Sequence, residues 1–303
     1  MTKQPLPLII YVPGLLPKPE PAAHREALLR CLLAGVRRVD EEVAGAIEAH
    51  DSLFEVISWT YDFYREHRDI SIDIASIDAV IEQRTASPKD IAEATSFRRR
   101  LSRWIYRLGD LMPFLIPHVA SERMEVHLRD LRRYLGDDNG IAAHIRRMLK
   151  VPLQAATQMH RPVLLIGHSM GSVIAYDSLW ELTHEGRDRA KVDLLVTLGS
   201  PLGQRYMQRR LKGAQKSGYG RYPSNIRHWK NLAAVGDLTA LDRQFLDDFE
   251  EMLDLGLIES LEDEAILTYY RLDGELNVHA EYGYLVHEKT AHTIVEWWRG
   301  LGN

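Results

Sequence analysis

Short apolar runs alternate with helical stretches along most of the chain. The runs of strand length lie at residues 8–12, 53–60, 163–166, 192–198, 228–235 and 265–272. Apolar residues at helical spacing predict helices at 21–36, 170–182 and 288–299. Strands that alternate with helices favour a mostly parallel sheet with helices on both faces. We therefore predict one α/β domain over residues 1–303.

The interval between the second and third predicted strands is longer than a simple crossover requires. About 100 residues separate Tyr61 from His160, and their spacing predicts helices at 71–84, 92–109, 123–135 and 141–158. A crossover between parallel strands needs only about a dozen residues or slightly more. Residues 65–150 are therefore expected to form a helical insertion.

Part of this insertion mixes arginines with large apolar residues. Residues 97–116 contain five arginines beside Trp104, Leu111 and Phe114. Three interpretations stay open: a helix that packs on the sheet with solvated arginines, a cap over a pocket, and a helix at a membrane surface. The expectation carried forward is a cap, and the membrane surface is the least favoured interpretation.

Composition and charge narrow the class of protein. The net charge of −5 disfavours a dedicated nucleic-acid binder, which usually has a basic excess. A single cysteine, Cys31, excludes an intrachain disulfide framework and a cysteine-rich zinc site, and it fits a reducing compartment. Prolines and glycine interrupt the apolar N-terminus, so it resembles a buried strand more than a signal peptide. We expect a soluble, cytoplasmic protein and leave its oligomeric state open.

One short motif carries candidate chemistry. The sequence Gly167-His168-Ser169-Met170-Gly171 follows an apolar strand directly and precedes a helix directly, as a G-x-S-x-G turn requires. A side chain at either glycine would collide in so tight a turn. The turn presents the Ser169 hydroxyl at the carboxyl edge of the sheet, beside a helix N-terminus that can stabilise an anion. Ser169 is therefore the candidate nucleophile.

A serine hydroxyl is a weak nucleophile and needs a base that is oriented by an acid. With this motif the acid follows the serine in the chain, and the histidine comes last. Asp237 comes directly after the strand at 228–235, and Asp242 is the alternative acid. His279 lies between the last predicted strand and the closing helix, whereas the alternative, His287, lies at the start of that helix. We predict Asp237 and His279.

An oxyanion formed during acyl transfer needs two N–H donors. The first is expected to be Met170, the residue after the nucleophile. The second should come from the loop Pro13-Gly14-Leu15 after the first strand. We assign Leu15, with Gly14 as the alternative.

Three segments share their pattern with a known family. They are Ile9-Ile10-Tyr11-Val12-Pro13-Gly14-Leu15, Leu164-Leu165-Ile166-Gly167-His168-Ser169-Met170-Gly171-Ser172 and Thr197-Leu198-Gly199-Ser200-Pro201-Leu202-Gly203. They resemble the oxyanion loop, the nucleophile turn and a strand-exit segment in the lipase and esterase branch of the α/β-hydrolase fold. The resemblance covers roughly residues 1–60 and 160–303. It implies hydrolysis of a small-molecule or lipid carboxylic ester without a metal or an organic cofactor.

Other activities stay open for the same residues. A thioesterase, an amidase or an acyltransferase uses the same triad, and a silent relative of these enzymes would bind a ligand or partner instead. A zinc site at His287 and His292 is not expected, because histidines five residues apart diverge around a helix.

Overall fold

The computed structural model of the protein describes residues 5–96, 122–186, 190–237 and 245–301. The helices in these ranges are α1 (Pro21–Val39), α2 (Glu41–Glu48), α3 (Thr60–Tyr64), α4 (Ser71–Glu82), α5 (Pro88–Ala94), α6 (Glu122–Leu135), α7 (Ile141–Gln158), α8 (Met170–His184), α9 (Arg205–Gln208), α10 (Phe245–Phe249), α11 (Glu251–Asp254), α12 (Glu281–Leu285) and α13 (Glu288–Gly300). The strands are β1 (Leu8–Val12), β2 (Phe54–Val56), β3 (Val163–His168), β4 (Val192–Leu198), β5 (Ile226–Ala234), β6 (Ser260–Ile266), β7 (Arg271–Leu272) and β8 (Glu275–Leu276).

Six of these strands form one parallel sheet. Their order is β2-β1-β3-β4-β5-β6, and every neighbouring pair runs parallel. Strands β7 and β8 pair separately as a small antiparallel hairpin. Because parallel strands all end at the same edge, the segments that follow β1, β3, β4 and β5 leave the sheet on one side. This carboxyl edge gathers the candidate residues.

Helices cover both faces of the sheet, as the alternating pattern predicted. Along β1, Leu8, Ile10 and Val12 contribute to one buried core, and Ile9 and Tyr11 contribute to the other. Helices α7 and α8 pack on the first core, and helices α1 and α13 pack on the second. A strand buried on both faces has no polar side, which explains its continuous apolar sequence. The fold is therefore α/β.

The described parts of the predicted insertion belong to both helical layers. Ile77 of α4 and Ala94 of α5 are buried in the core that contains α1. Tyr134 of α6 and Leu149 of α7 are buried in the opposite core. The arginine-rich segment that was predicted to act as a cap, at residues 97–116, lies outside the described residues.

Two strand predictions were wrong by four residues or more at one or both ends, whereas those for β3 and β5 differ from the structure by one or two residues. The last strand of the sheet is β6, at Ser260–Ile266, and not residues 265–272. Its middle carries Glu262, Asp263 and Glu264, because an edge strand tolerates charges that a central strand cannot, and these charges hid it from the apolar pattern. The second strand ends at Val56 rather than residue 60, and helix α3 follows.

No helix within the described ranges is both long enough and apolar enough to cross a membrane.

The sheet position of Leu165 leads to a test of this architecture. Leu165 lies in the middle of β3 and is 0% exposed, whereas Met159 is 63% exposed. We expect Leu165→Ala to lower the free energy of unfolding by about 2–5 kcal/mol, because it leaves a cavity between sheet and helices. Met159→Ala should change it by less than about 0.5 kcal/mol. Urea denaturation followed by circular dichroism measures both, and a loss below about 1 kcal/mol for Leu165→Ala would contradict this packing.

Candidate active site

Ser169 occupies a strained turn between β3 and α8. Its φ of 52° and ψ of −123° lie in a region that residues with side chains rarely adopt, at a cost of about 1–3 kcal/mol. A Cβ atom on Gly171 would lie 2.0 Å from the Val12 carbonyl oxygen, and one on Gly167 would lie 2.7 Å from the Ser172 Cα atom. The predicted need for both glycines is confirmed.

The three residues predicted as nucleophile, base and acid lie in one hydrogen-bonded chain. His279 Nε2 lies 2.9 Å from Ser169 Oγ, and His279 Nδ1 lies 2.7 Å from Asp237 Oδ2. A carboxylate only accepts hydrogen bonds, so Nδ1 carries the proton and Nε2 is left as an acceptor. The Ser169 hydroxyl therefore donates to His279. This arrangement can transfer a proton away from Ser169.

Asp237 is held by a second donor that sequence reasoning missed. The carboxylate follows β5 and is 2% exposed. The Tyr284 hydroxyl donates to Asp237 Oδ2 over 2.8 Å and accepts from the Ala234 N–H over 2.8 Å. Burial and the neighbouring carboxylate raise the pKa of Tyr284 well above its usual value, so the phenol keeps its proton. No local pattern marks this tyrosine in the sequence.

His168, beside the serine, supports the loop that carries the predicted base. Its Nε2–H donates to the His279 carbonyl oxygen over 2.8 Å, and the two rings lie 4.8 Å apart. Burial above all, with an electrostatic contribution from the neighbouring His279, lowers the pKa of His168 to about 3. His168 is therefore neutral near pH 7, with its proton on the nitrogen that holds His279.

The loop after β1 lies directly against Ser169. A Cβ atom on Gly14 would lie 2.8 Å from the Ser169 Cβ atom, so the loop approaches as closely as a glycine allows. The N–H groups of Leu15 and Met170 donate to no acceptor within the described ranges. Two free amides on the two segments that meet at Ser169 are what an oxyanion site requires.

A buried carboxylate connects the segments around Ser169. Glu281 accepts hydrogen bonds from Lys18 Nζ (3.0 Å), His24 Nε2 (2.9 Å) and the Tyr11 hydroxyl (3.2 Å). Burial alone would raise the pKa of Glu281, but the charges of Lys18 and His24 outweigh it and hold that pKa well below its usual range. The ionised carboxylate thereby links β1, its loop and α1 to the segment that carries His279.

The residues considered as the alternative acid and base, Asp242 and His287, are not part of this hydrogen-bonded chain as the structure describes it. Asp242 lies outside the described residues. His287 begins helix α13, where its Nδ1 accepts from the Lys289 N–H over 3.1 Å. Within the described ranges, no group of three or more His, Cys, Asp and Glu side chains is arranged to hold a metal ion.

No family model, curated protein or solved structure matches the chain. The sheet topology establishes the α/β fold, and no relative adds a function to it. The possible chemistry of the site therefore follows from the positions of Ser169, His279 and Asp237 and of the groups around them.

The environment of His168 leads to a test by pH. The pKa of His168 is about 3 in the folded chain, against 6.5 for an ordinary histidine. Below pH 6.5 the unfolded chain therefore binds more protons, and stability is lost as the pH falls from 6.5 towards 3. We expect the free energy of unfolding to fall by about 2 kcal/mol more between pH 7 and pH 5 in the wild type than in His168→Gln.

Urea denaturation at the two pH values measures this difference. Glutamine keeps an N–H donor for the His279 carbonyl but does not titrate. His50→Gln, a change at an exposed histidine, is the matched control and should retain the wild-type dependence on pH. Equal losses of stability in the wild type and in His168→Gln would contradict the neutral, buried state of His168.

Proposed function

We propose that the protein is a serine hydrolase of the α/β-hydrolase fold that cleaves carboxylic esters through an acyl-enzyme intermediate. One observation carries the proposal: Ser169 Oγ lies 2.9 Å from His279 Nε2, whose ring is held by Asp237 at 2.7 Å. The three residues meet at the carboxyl edge of a parallel sheet, which is where α/β proteins bind ligands.

The chain order of the three residues supports this fold over other serine hydrolases. The nucleophile comes first, the acid second and the histidine last, as in α/β-hydrolases. Chymotrypsin-like and subtilisin-like enzymes place the same groups in other orders. The turn at Ser169, between a parallel strand and a helix, also has the strained geometry typical of a nucleophile elbow.

The first half of the reaction forms a bond between Ser169 and the acyl group. His279 Nε2 takes the hydroxyl proton, and Ser169 Oγ attacks the ester carbonyl carbon, whose π electrons move onto oxygen. The N–H groups of Met170 and Leu15 stabilise this oxyanion, and loss of one such donor typically costs about 2.7–4 kcal/mol. Asp237 keeps His279 in the required tautomer and stabilises its protonated form.

The second half releases both products. The oxyanion collapses, the bond to the alcohol oxygen breaks, and His279 gives its proton to the departing alcohol. Water then enters, His279 removes one of its protons, and the hydroxide attacks the acyl-enzyme carbonyl. Collapse of the second oxyanion releases the carboxylic acid and returns the proton to Ser169 Oγ. The substrate is a small-molecule or lipid ester, and water is the second reactant.

Replacement of Ser169 tests the proposal directly. We expect Ser169→Ala to abolish labelling by a fluorophosphonate and to lower kcat on p-nitrophenyl esters by about 10⁴-fold or more, because the attacking atom is gone. Acetate, butyrate, octanoate and palmitate esters should be compared, since the preferred chain length measures the acyl pocket. Ser217→Ala, at an exposed serine, is the matched control and should keep full activity.

Two outcomes would count against this function. Labelling that persists in Ser169→Ala would move the nucleophile to another residue. A folded wild type that neither reacts with the fluorophosphonate nor turns over any of the four esters would contradict the hydrolase activity itself.

A further inference from the structure

The segment at residues 13–18, here called the β1 loop, has a backbone conformation that its own residues do not favour. Leu16 has a φ of 75°, in the left-handed region that normally suits glycine or asparagine. Leu16 is also 41% exposed, so burial of its side chain contributes little to holding it there. The loop must therefore be held by groups from other parts of the chain.

A tyrosine and a buried aspartate hold the middle of the β1 loop. The Leu16 N–H donates to the Tyr64 hydroxyl over 3.1 Å, and that hydroxyl donates to Asp130 Oδ2 over 3.0 Å. A phenol has a single proton, so the Asp130 carboxylate fixes the direction of the hydroxyl and turns its lone pair towards Leu16. Burial raises the pKa of Tyr64, which keeps this proton in place.

Through Asp130, the helical interval between β2 and β3 is connected to the β1 loop. It lies on α6, is 3% exposed, and its other oxygen accepts from Arg129 Nε over 3.1 Å. The same interval contributes a second contact, since the Arg68 N–H donates to the Lys18 carbonyl oxygen over 3.0 Å. The interval therefore contacts the β1 loop from two points.

Two further side chains hold the ends of the loop by a hydrogen bond and an ion pair. Trp59 Nε1 donates to the Pro13 carbonyl oxygen over 2.9 Å, and Lys18 pairs with Glu281 at 3.0 Å. Between these ends, the Leu16 N–H is the group that Tyr64 holds. The Leu16 N–H belongs to the planar peptide group between Leu15 and Leu16. Holding this N–H therefore fixes the orientation of that whole peptide group. The backbone orientation of Leu15, and with it the direction of its free N–H, depends on this peptide group.

We propose that Asp130 acts through Tyr64 to hold the Leu15 N–H as an oxyanion donor, so that the position of α6 determines whether the site is competent. Tyr64 and Asp130 are positioning residues, because neither contacts the substrate in this mechanism. The inference rests on the proposed hydrolase function for its catalytic part. Its structural part, the clamp on the β1 loop, does not depend on that function.

The catalytic part is tested by comparing an ester with its thionoester. Sulfur accepts hydrogen bonds more weakly than oxygen, so a thionoester gains less from an oxyanion donor. We expect Tyr64→Phe to lower kcat for the oxygen ester by about 10- to 100-fold, less than the loss of a donor itself, with KM little changed. The rate advantage of the ester over the thionoester should shrink by about 10-fold. A merely loosened fold would slow both substrates equally and leave their ratio unchanged, which would overturn the proposal.

Two further variants sharpen this comparison. Asp130→Asn keeps an acceptor oxygen for Tyr64 and should retain more activity than Asp130→Ala. Tyr61→Phe removes a hydroxyl from the same short helix, at a ring that is 42% exposed, and is the matched control. Equal losses in Asp130→Asn and Asp130→Ala, or in Tyr61→Phe and Tyr64→Phe, would contradict a specific clamp.

Amide hydrogen exchange tests the structural part without any substrate. In Tyr64→Phe, the peptide that covers residues 13–18 should exchange at least about 10-fold faster than in wild type and Tyr61→Phe, because Leu16 loses its acceptor. Unchanged exchange would overturn the clamp, whether or not the protein is an esterase. Faster exchange in a protein without Ser169-dependent hydrolysis would retain the clamp, reject its catalytic role and reject the proposed function.

Discussion

The close approach of the Ser169 turn to the end of β1 is the constraint on which the site depends. Gly171 lies against the Val12 carbonyl oxygen, and Gly14 lies against Ser169, so no side chain separates the two backbones. This contact exists because β1 and β3 are neighbours in the sheet. Backbone packing therefore brings the segments that carry the free amides of Leu15 and Met170 against Ser169.

The buried carboxylate of Glu281 connects the segments around this contact. An ionised carboxylate such as Glu281 is costly to bury unless its oxygens are paired. Lys18, His24 and Tyr11 supply that pairing, and each comes from a different segment of the chain. The hydrogen bonds that satisfy the Glu281 charge therefore also hold the β1 loop against the segment that carries His279. Glu281 thus holds the segments around the site without belonging to the proposed triad of Ser169, His279 and Asp237.

Local patterns predicted the elements that have a continuous apolar run or a clear apolar face, and missed those that have neither. Strands β1 and β4 and helix α7 have the bounds that their apolar spacing indicates, whereas the charged edge strand β6 does not. The meeting of Ser169, Asp237 and His279 was also predictable, since each follows a strand or precedes the closing helix in a known order. The roles of Tyr284, His168, Tyr64, Asp130 and Glu281 were not, because they depend on contacts between distant segments that leave no periodic signal.

A chain of buried hydroxyl groups also holds the strained turn at Ser169 to the segment after β4. Ser172 Oγ donates its one proton to the Ser169 carbonyl oxygen over 2.6 Å, so Ser200 Oγ must donate to Ser172 Oγ over 2.7 Å. Ser200, in turn, accepts from the Leu202 N–H over 3.2 Å. The segment after β4 therefore holds the Ser169 turn on one side, and the end of β1 holds it on the other. Since β3 lies between these two strands, the order of the sheet both supports the strained turn and delivers Asp237, from the next strand along, to His279.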